Sequence, residues 1–358
     1  MGWLRSWCVL IFAFAALLGG RASAQSVYEK DLDFALDALE TDCGALLVAK
    51  HIDWKAVRKE FAGSAKPVTS DQAHLVLLTR LLARIQDGHC HVVTTDKTKD
   101  VKWPDEPERV GCGMFWCRSG KKILLKTVWG TAAADGLSAG FEVVKVNDKP
   151  VDAWLDARIK EMRDLQSFST EQQAFYRATH QGLAMPAGTR LELELKDPGG
   201  KEKKKRTITY AKGSAVPFGP AVMPEGLEGG DDVSFKLLDP SVGYIRIRRC
   251  KETLPSDIDS AFAKVGSAKG LILDFRANSG GGFDHPDFMG RFVPKGEKLQ
   301  GGVSYESRGE HPFGGPIVVI VDAGVVSAGE TASGIFKEDG RGYMIGETAT
   351  AGMSSQKK

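Results

Sequence analysis

Apolar residues recur at helical spacing through the first part of the chain: Leu32, Leu36, Leu39 and Cys43 step by four, three and four, and Ile52, Trp54 and Val57 follow. Positions three or four apart share one face of a helix, so the segment from Asp31 to about Ile85 reads as helical. Ser70, a residue type whose hydroxyl accepts a free N–H at a helix start, precedes Leu75, Leu78 and Leu82 and marks a third helix. This region ends in Asp87-Gly88-His89-Cys90-His91, a turn expected to lead into a short strand. Beyond Trp103-Pro104-Asp105-Glu106-Pro107 short strands take over, at Cys112 to Cys117, Ile123 to Val128 and Glu142 to Val146. Asn147-Asp148 supplies a turn, and Asp152 is placed to cap a helix striped by Leu155, Ile159 and Met162. Two further strands, Arg190 to Leu195 and Arg206 to Tyr210, are joined through Pro198-Gly199-Gly200, with Lys203-Lys204-Lys205-Arg206 as a solvated tip.

A Gly/Pro-rich stretch from Val216 to Gly230 reads as a linker. After it, Gly243 to Ile247, Gly270 to Phe275 and Pro316 to Asp322 are apolar runs of strand length. Ile258, Phe262 and Val265 stripe a helix between the first two. Strands alternating with helices argue for a layered α/β core. The expected organisation is therefore α/β and multidomain: a helical region over 25–102, a β-rich domain over 103–215, a linker over 216–232 and a core over 233–358.

The first 24 residues are set apart from the fold. Arg5 precedes the apolar run Val9 to Leu18, and Ala22-Ser23-Ala24 has the small residues of a cleavage site, so residues 1–24 are expected to be a signal peptide. Export to a periplasm or to the medium follows, and no later run approaches the roughly 20 apolar residues of a membrane helix. The 48 Lys and Arg face 46 Asp and Glu. Removing Arg5 and Arg21 with the leader balances them, which leaves no electrostatic case for nucleic acid. Five cysteines remain, Cys43, Cys90, Cys112, Cys117 and Cys250, and an odd count leaves at least one thiol free even where pairing is permitted.

Candidate chemistry centres on Ser327, where the strand Pro316 to Asp322 turns into a helix. Such a turn exposes a hydroxyl beside unpaired backbone N–H groups, the parts that acyl transfer needs. Ala328 opens the helix and offers one N–H. The run Asn278-Ser279-Gly280-Gly281-Gly282 leaves a strand through residues that permit close backbone approach, and His89 is a candidate base. Taken singly each has an ordinary structural role: a helix cap, a loop, a turn residue. His89 and His91 also fall two apart, with Cys90 between them, but no further residue completes a metal-ligand pattern.

Together these segments resemble the C-terminal processing peptidase and tricorn-core family of serine proteases, which includes interphotoreceptor retinoid-binding relatives. The resemblance rests on Leu82 through Asp87-Gly88-His89, on Gly270 through Asn278-Ser279-Gly280-Gly281, on Ser327-Ala328-Gly329-Glu330, and on Gly346-Glu347-Thr348 through Gly352. It implies a core of the ClpP/crotonase-like kind, Ser327 as nucleophile, and an oxyanion hole from Ala328 with Gly280 or Gly281. It implies neither cofactor nor metal. Family members with a Ser–Lys dyad carry lysine directly after the last glycine of that segment; here Met353 follows Gly352, which points to His89 as the base. The middle region resembles a circularly permuted PDZ domain, implying that Gly111 and Gly113 belong to a carboxylate-binding loop for a protein or peptide C-terminus. Ser–His members carry their orienting acid tens of residues beyond the nucleophile, and this sequence extends 31 residues past Ser327, so either the core is truncated or another acid serves; Glu330 and Glu347 are the nearby carboxylates, and both fall in family motifs where they have a structural role. The expected activity is that of an exported serine endopeptidase. The alternative is a non-catalytic relative that binds an apolar ligand or peptide C-termini.

Overall fold

A computed structural model describes residues 25–217, 219, 222–300 and 304–353; the expected signal peptide lies outside the described residues, as do Lys357 and Lys358. The chain forms two units, one comprising residues up to Pro107 together with Ala157–Ser169, the other Glu108–Asp156 together with Thr170 onward.

The first unit is built on α1 (Val27–Asp42), α2 (Gly44–Ala49), α3 (Trp54–Phe61) and α4 (Asp71–Ala83). Local chemistry starts each of the longer ones. Ser26 and Glu29 form a reciprocal capping box on α1, Asp53 accepts from the Ala56 N–H on α3, and Ser70 accepts from the Ala73 N–H on α4, as its residue type predicts. Leu32, Leu36, Leu39, Trp54, Val57, Leu78, Leu81 and Ile85 merge into one buried cluster. The strand expected after His91 is absent: residues 91–95 are irregular, and Val92 packs on the helical cluster instead of joining a ladder.

The second unit opens with β1 (Arg109–Val110), followed by β2 (Met114–Ser119), β3 (Lys122–Val128), α5 (Gly130–Ala134), β4 (Glu142–Val146), β5 (Lys149–Pro150) and the start of α6 (Val151–Met162), whose residues from Ala157 onward fall in the first unit. Next come α7 (Glu171–Thr179), β6 (Met185–Pro186), β7 (Arg190–Lys196) and β8 (Lys203–Thr209). Strands β2-β3-β4-β7-β8 form an antiparallel sheet in that order, with β5 folded back on β4 and β1 paired separately with β6. Between β4 and β5, Asn147 and Asp148 both take positive φ, 48° and 61°, as a two-residue hairpin requires. Leu191, Leu193 and Leu195 point one face of β7 inward. Two expectations shift. The basic run Lys203 to Arg206 is not a tip: it forms most of β8, an edge strand whose charged face discourages further pairing. Helix α6 begins at Val151, so Asp152 lies inside its first turn and pairs with Arg118 at 2.9 Å instead of capping it.

The remaining elements are β9 (Glu228–Gly229), β10 (Val233–Asp239), β11 (Val242–Ile247), α8 (Leu254–Val265), β12 (Gly270–Asp274) and α9 (His285–Gly290). They continue with the hairpin β13 (Lys298–Gln300) and β14 (Ser304–Glu306), then β15 (Ile317–Val321), α10 (Ala328–Glu338) and β16 (Tyr343–Gly346). The sheet order is β16-β15-β12-β11-β10-β9; the first four of these strands are parallel, and β10 runs antiparallel beside β11. Ile245, Ile247, Leu271, Leu273, Val319 and Val321 share a buried core with residues of α8, α9 and α10. Phe262, Phe288, Phe292 and Phe336 meet there edge to face, the arrangement that ring quadrupoles favour. The opposite face carries Tyr244, Arg246 and Asp274. Three loops leave the carboxyl ends of β11, β12 and β15, the edge of a parallel sheet where ligands usually bind.

Candidate active site

The turn after β15 holds a strained residue that carries a side chain. Ser327 has φ 56° and ψ −125°, a conformation whose cost is on the order of 1–3 kcal/mol for a residue with a Cβ and which persists only where its surroundings over-determine it. Here they do. The Glu330 carboxylate accepts hydrogen bonds from the backbone N–H groups of Ser327 (3.0 Å), Gly352 (2.7 Å) and Met353 (2.7 Å). The Val326 N–H donates to the Asn278 carbonyl at 3.0 Å, and the Ala351 N–H to the Val325 carbonyl at 3.0 Å. Glu330, named in sequence only as a nearby acid, is thus the clamp of the helix start.

The loop after β12 is fixed with equal rigor. Asn278 is fully buried; its Nδ2 donates to the Ile247 carbonyl at 2.8 Å and its Oδ1 accepts from the Gly280 N–H at 2.8 Å. The main chain of Cys250 brackets the glycines, donating to the Gly280 carbonyl and accepting from the Gly282 N–H. Gly281, at φ 134°, could carry no side chain: a Cβ there would lie 1.7 Å from the Cys250 carbonyl oxygen. A Cβ on Gly280 would meet the Ser327 Cβ at 2.9 Å and the Ala328 nitrogen at 3.4 Å. Ser327, Ala328 and Gly280 are therefore immediate neighbours, brought together from segments about 47 residues apart because β12 and β15 are paired in parallel.

Donor accounting narrows the expected oxyanion hole. The Gly280 N–H is spent on Asn278, whereas Cys250 engages the loop on either side of the Gly281 N–H and not that group itself. Ala328 occupies the first position of α10, where an N–H has no acceptor within the helix. Beneath both loops lies Asp322, which the sequence reading passed over. Its Oδ1 accepts from the Ala277 N–H and the Gly324 N–H, each at 2.9 Å, and so ties the β12 loop to the serine turn. Its Oδ2 has no hydrogen-bond partner among the described residues. Burial pushes this carboxyl above its ordinary range, with the two N–H donors and Lys126 opposing. Against Gly324 packs the ring of Tyr176 from α7, whose phenol is also pushed up, by burial first and then by the Asp322 charge.

His89 belongs to the first unit, in the turn that follows α4. Gly111 and Gly113 lie ahead of β2 in tight backbone contacts: a Cβ on Gly111 would be 2.4 Å from the Ala215 carbonyl, and one on Gly113, at φ 77°, 2.3 Å from that of Trp129. The Gly111 N–H already donates to the Ser214 carbonyl at 2.9 Å. Glu347, the other acid considered from sequence, pairs with Lys126 at 2.5 Å. Among the described residues no group of three or more His, Cys, Asp or Glu is arranged to hold a metal ion, and no helix is long and apolar enough to cross a membrane.

Residues 241–358 match the family model of Peptidase family S41. Carboxyl-terminal-processing peptidase 3, chloroplastic, of Arabidopsis thaliana is 23% identical over 320 residues, covering 83% of this chain and 56% of that protein. Carboxy-terminal processing protease CtpA of Bacillus subtilis (strain 168) is 30% identical over 129 residues, 33% of this chain and 28% of that protein. The chain spans about half the length of the Arabidopsis relatives it matches. Mature CPAF, solved in complex with lactacystin, superposes with a TM-score of 0.61 at 12% identity, covering 90% of this chain and 84% of that one, and so shares the fold. The part of the chain that carries the serine turn and the glycine loop, residues 241–358, is therefore the part that is similar to Peptidase family S41, and the relatives it matches are carboxyl-terminal processing peptidases.

Proposed function

We propose that this protein is an exported serine endopeptidase that cleaves protein or peptide chains through an acyl-enzyme. In this reading the Ser327 Oγ attacks the scissile carbonyl while His89 takes its proton. The N–H groups of Ala328 and Gly281 hold the developing oxyanion, and His89 returns the proton to the leaving amine; water then releases the acyl group by the same steps. Substrate enters as an extended chain, and the loop at Gly111 to Gly113 selects its C-terminal carboxylate.

The observation that carries the reading is the strained Ser327 at the start of α10, packed against Gly280 and held by Glu330 and Asn278. A serine serving only as a cap would sit in ordinary extended backbone, and here the helix start is already secured by a carboxylate. Strain of this kind concentrates at functional sites. Ser327→Ala is expected to abolish cleavage of an unfolded protein substrate and labelling by an organophosphate. Retention of cleavage by that variant refutes the assignment. Loss of one oxyanion donor is expected to cost about 10²–10³ in turnover.

A further inference from the structure

We infer that Asp87 is the positioning residue for His89: its carboxylate holds the Nδ1 side of the imidazole, leaving Nε2 to serve the nucleophile. This rests on the reading of His89 as the base, and it supplies an orienting acid from a place other than the segment beyond Ser327. The His89 Nδ1 lies 3.3 Å from the Asp87 Oδ1, and the same oxygen accepts the His89 backbone N–H at 2.8 Å. One carboxylate thus fixes both the main chain and the ring of the histidine. A triad acid does the equivalent work: it selects the tautomer with hydrogen on the nitrogen facing it and stabilises the imidazolium that forms during attack.

The turn is built to keep that carboxylate in place. The Asp87 N–H donates to the Ser167 Oγ and the Gly88 N–H to the Ser169 Oγ, both at 2.9 Å, while the Cys90 N–H donates to the Asp87 carbonyl at 2.9 Å. Gln86, at φ 55°, turns the chain out of α4, and its carbonyl accepts from Lys50 Nζ, which also donates to the Ser169 carbonyl at 2.8 Å. The charged and titratable groups around the pair are therefore Lys50 and His91, whose Nδ1 meets the His89 carbonyl at 2.9 Å. Burial opposes ionisation of Asp87, but the hydrogen bonds from His89 and the charges of His89 and Lys50 outweigh it and hold this carboxyl below its ordinary value. An anionic Asp87 is what the role requires. The His89 side chain keeps 39% of its surface exposed, so the ring is ordered by its partner and not by packing.

The test is a titration of the histidine ring signals of the full chain by NMR, with His89→Gln identifying the His89 resonance, in wild type and Asp87→Asn. Asparagine retains an oxygen for the His89 N–H, so the turn survives while the charge is lost. In Asp87→Asn the His89 ring is expected to titrate about one pH unit lower and to lose its preference for hydrogen on Nδ1. Turnover is expected to fall by about 10²–10⁴ with little change in KM, and the acid limb of the pH–rate profile to move with the ring; Asp87→Glu recovers part of both. Identical His89 titrations in wild type and Asp87→Asn overturn the inference whatever the activities are. If Ser327→Ala still cleaves, the peptidase reading fails, and the titration continues to decide whether Asp87 governs His89.

Discussion

Asp322 and Asp87 are the same residue type put to opposite uses. Asp322 is fully buried under the serine turn, and its Oδ1 joins two loops by accepting one N–H from each, while burial pushes its pKa up. Asp87, with 21% of its side chain exposed, faces an imidazole and lies near an ammonium, and its pKa is held down. The first acts as a geometric joint that charge would only burden; the second acts through charge. The surroundings of Ser327 are fixed by directional hydrogen bonds in a dry setting, whereas those of His89 depend on electrostatics in a partly wet one.

The contrast can be broken at three points. The largest effect is expected from Asp322→Ala, which strands two N–H groups and should cost about 2–6 kcal/mol in urea unfolding, at about 1–3 kcal/mol for each unsatisfied donor; Asp322→Asn, keeping an acceptor, should spare most of it. A loss below about 1 kcal/mol for the alanine variant would remove Asp322 as the joint.

Next comes the sign of the pH dependence. A carboxyl with a raised folded-state pKa costs nothing while protonated in both states. It penalises folding increasingly as pH rises from its ordinary 3.8 through the raised value. Wild type should therefore lose ground to Asp322→Asn over that window. Asp87 runs the other way: its contribution is complete above 3.8 and disappears as pH falls through the lowered folded value, so wild type should gain on Asp87→Asn as pH rises there. Parallel slopes for the two variants in urea titrations would collapse the distinction.

The smallest effect is salt dependence. Raising ionic strength from about 0.01 M to 1 M shortens the Debye length from about 30 Å to 3 Å. The stability cost of Asp87→Asn should shrink by a few tenths of a kcal/mol, and that of Asp322→Asn should not change. A salt response at Asp322 equal to that at Asp87 would show that both act through charge.

Much of this arrangement was legible in the sequence, because it rests on local chemistry. Ser70 caps its helix as its residue type predicts, Glu142–Val146 is a strand with the expected bounds, and Asn147-Asp148 makes the turn. The glycine loop and Ser327 emerge at strand ends for the same reason: apolar runs of parallel strands stop abruptly at polar turns. What stayed hidden depends on distance in sequence. The bond from Glu330 to Met353 crosses 23 residues and that from Asp322 to Ala277 crosses 45, and neither leaves a local pattern. Helix α7 escaped because its inward face includes Gln173 and Thr179, so no apolar stripe announces it. The strand expected after His91 failed because alternating residues promise a strand only where a neighbour exists to pair with.

Cys250 gives the glycine loop a reporter of its own. Its thiol is buried at 1% exposure and pushed up to about 12, while its main chain grips Gly280 and Gly282. A thiol-specific reagent can reach that sulfur only when the loop lets go. The alkylation rate at Cys250, followed over time in the unmodified protein, would therefore clock how often the glycine loop comes apart.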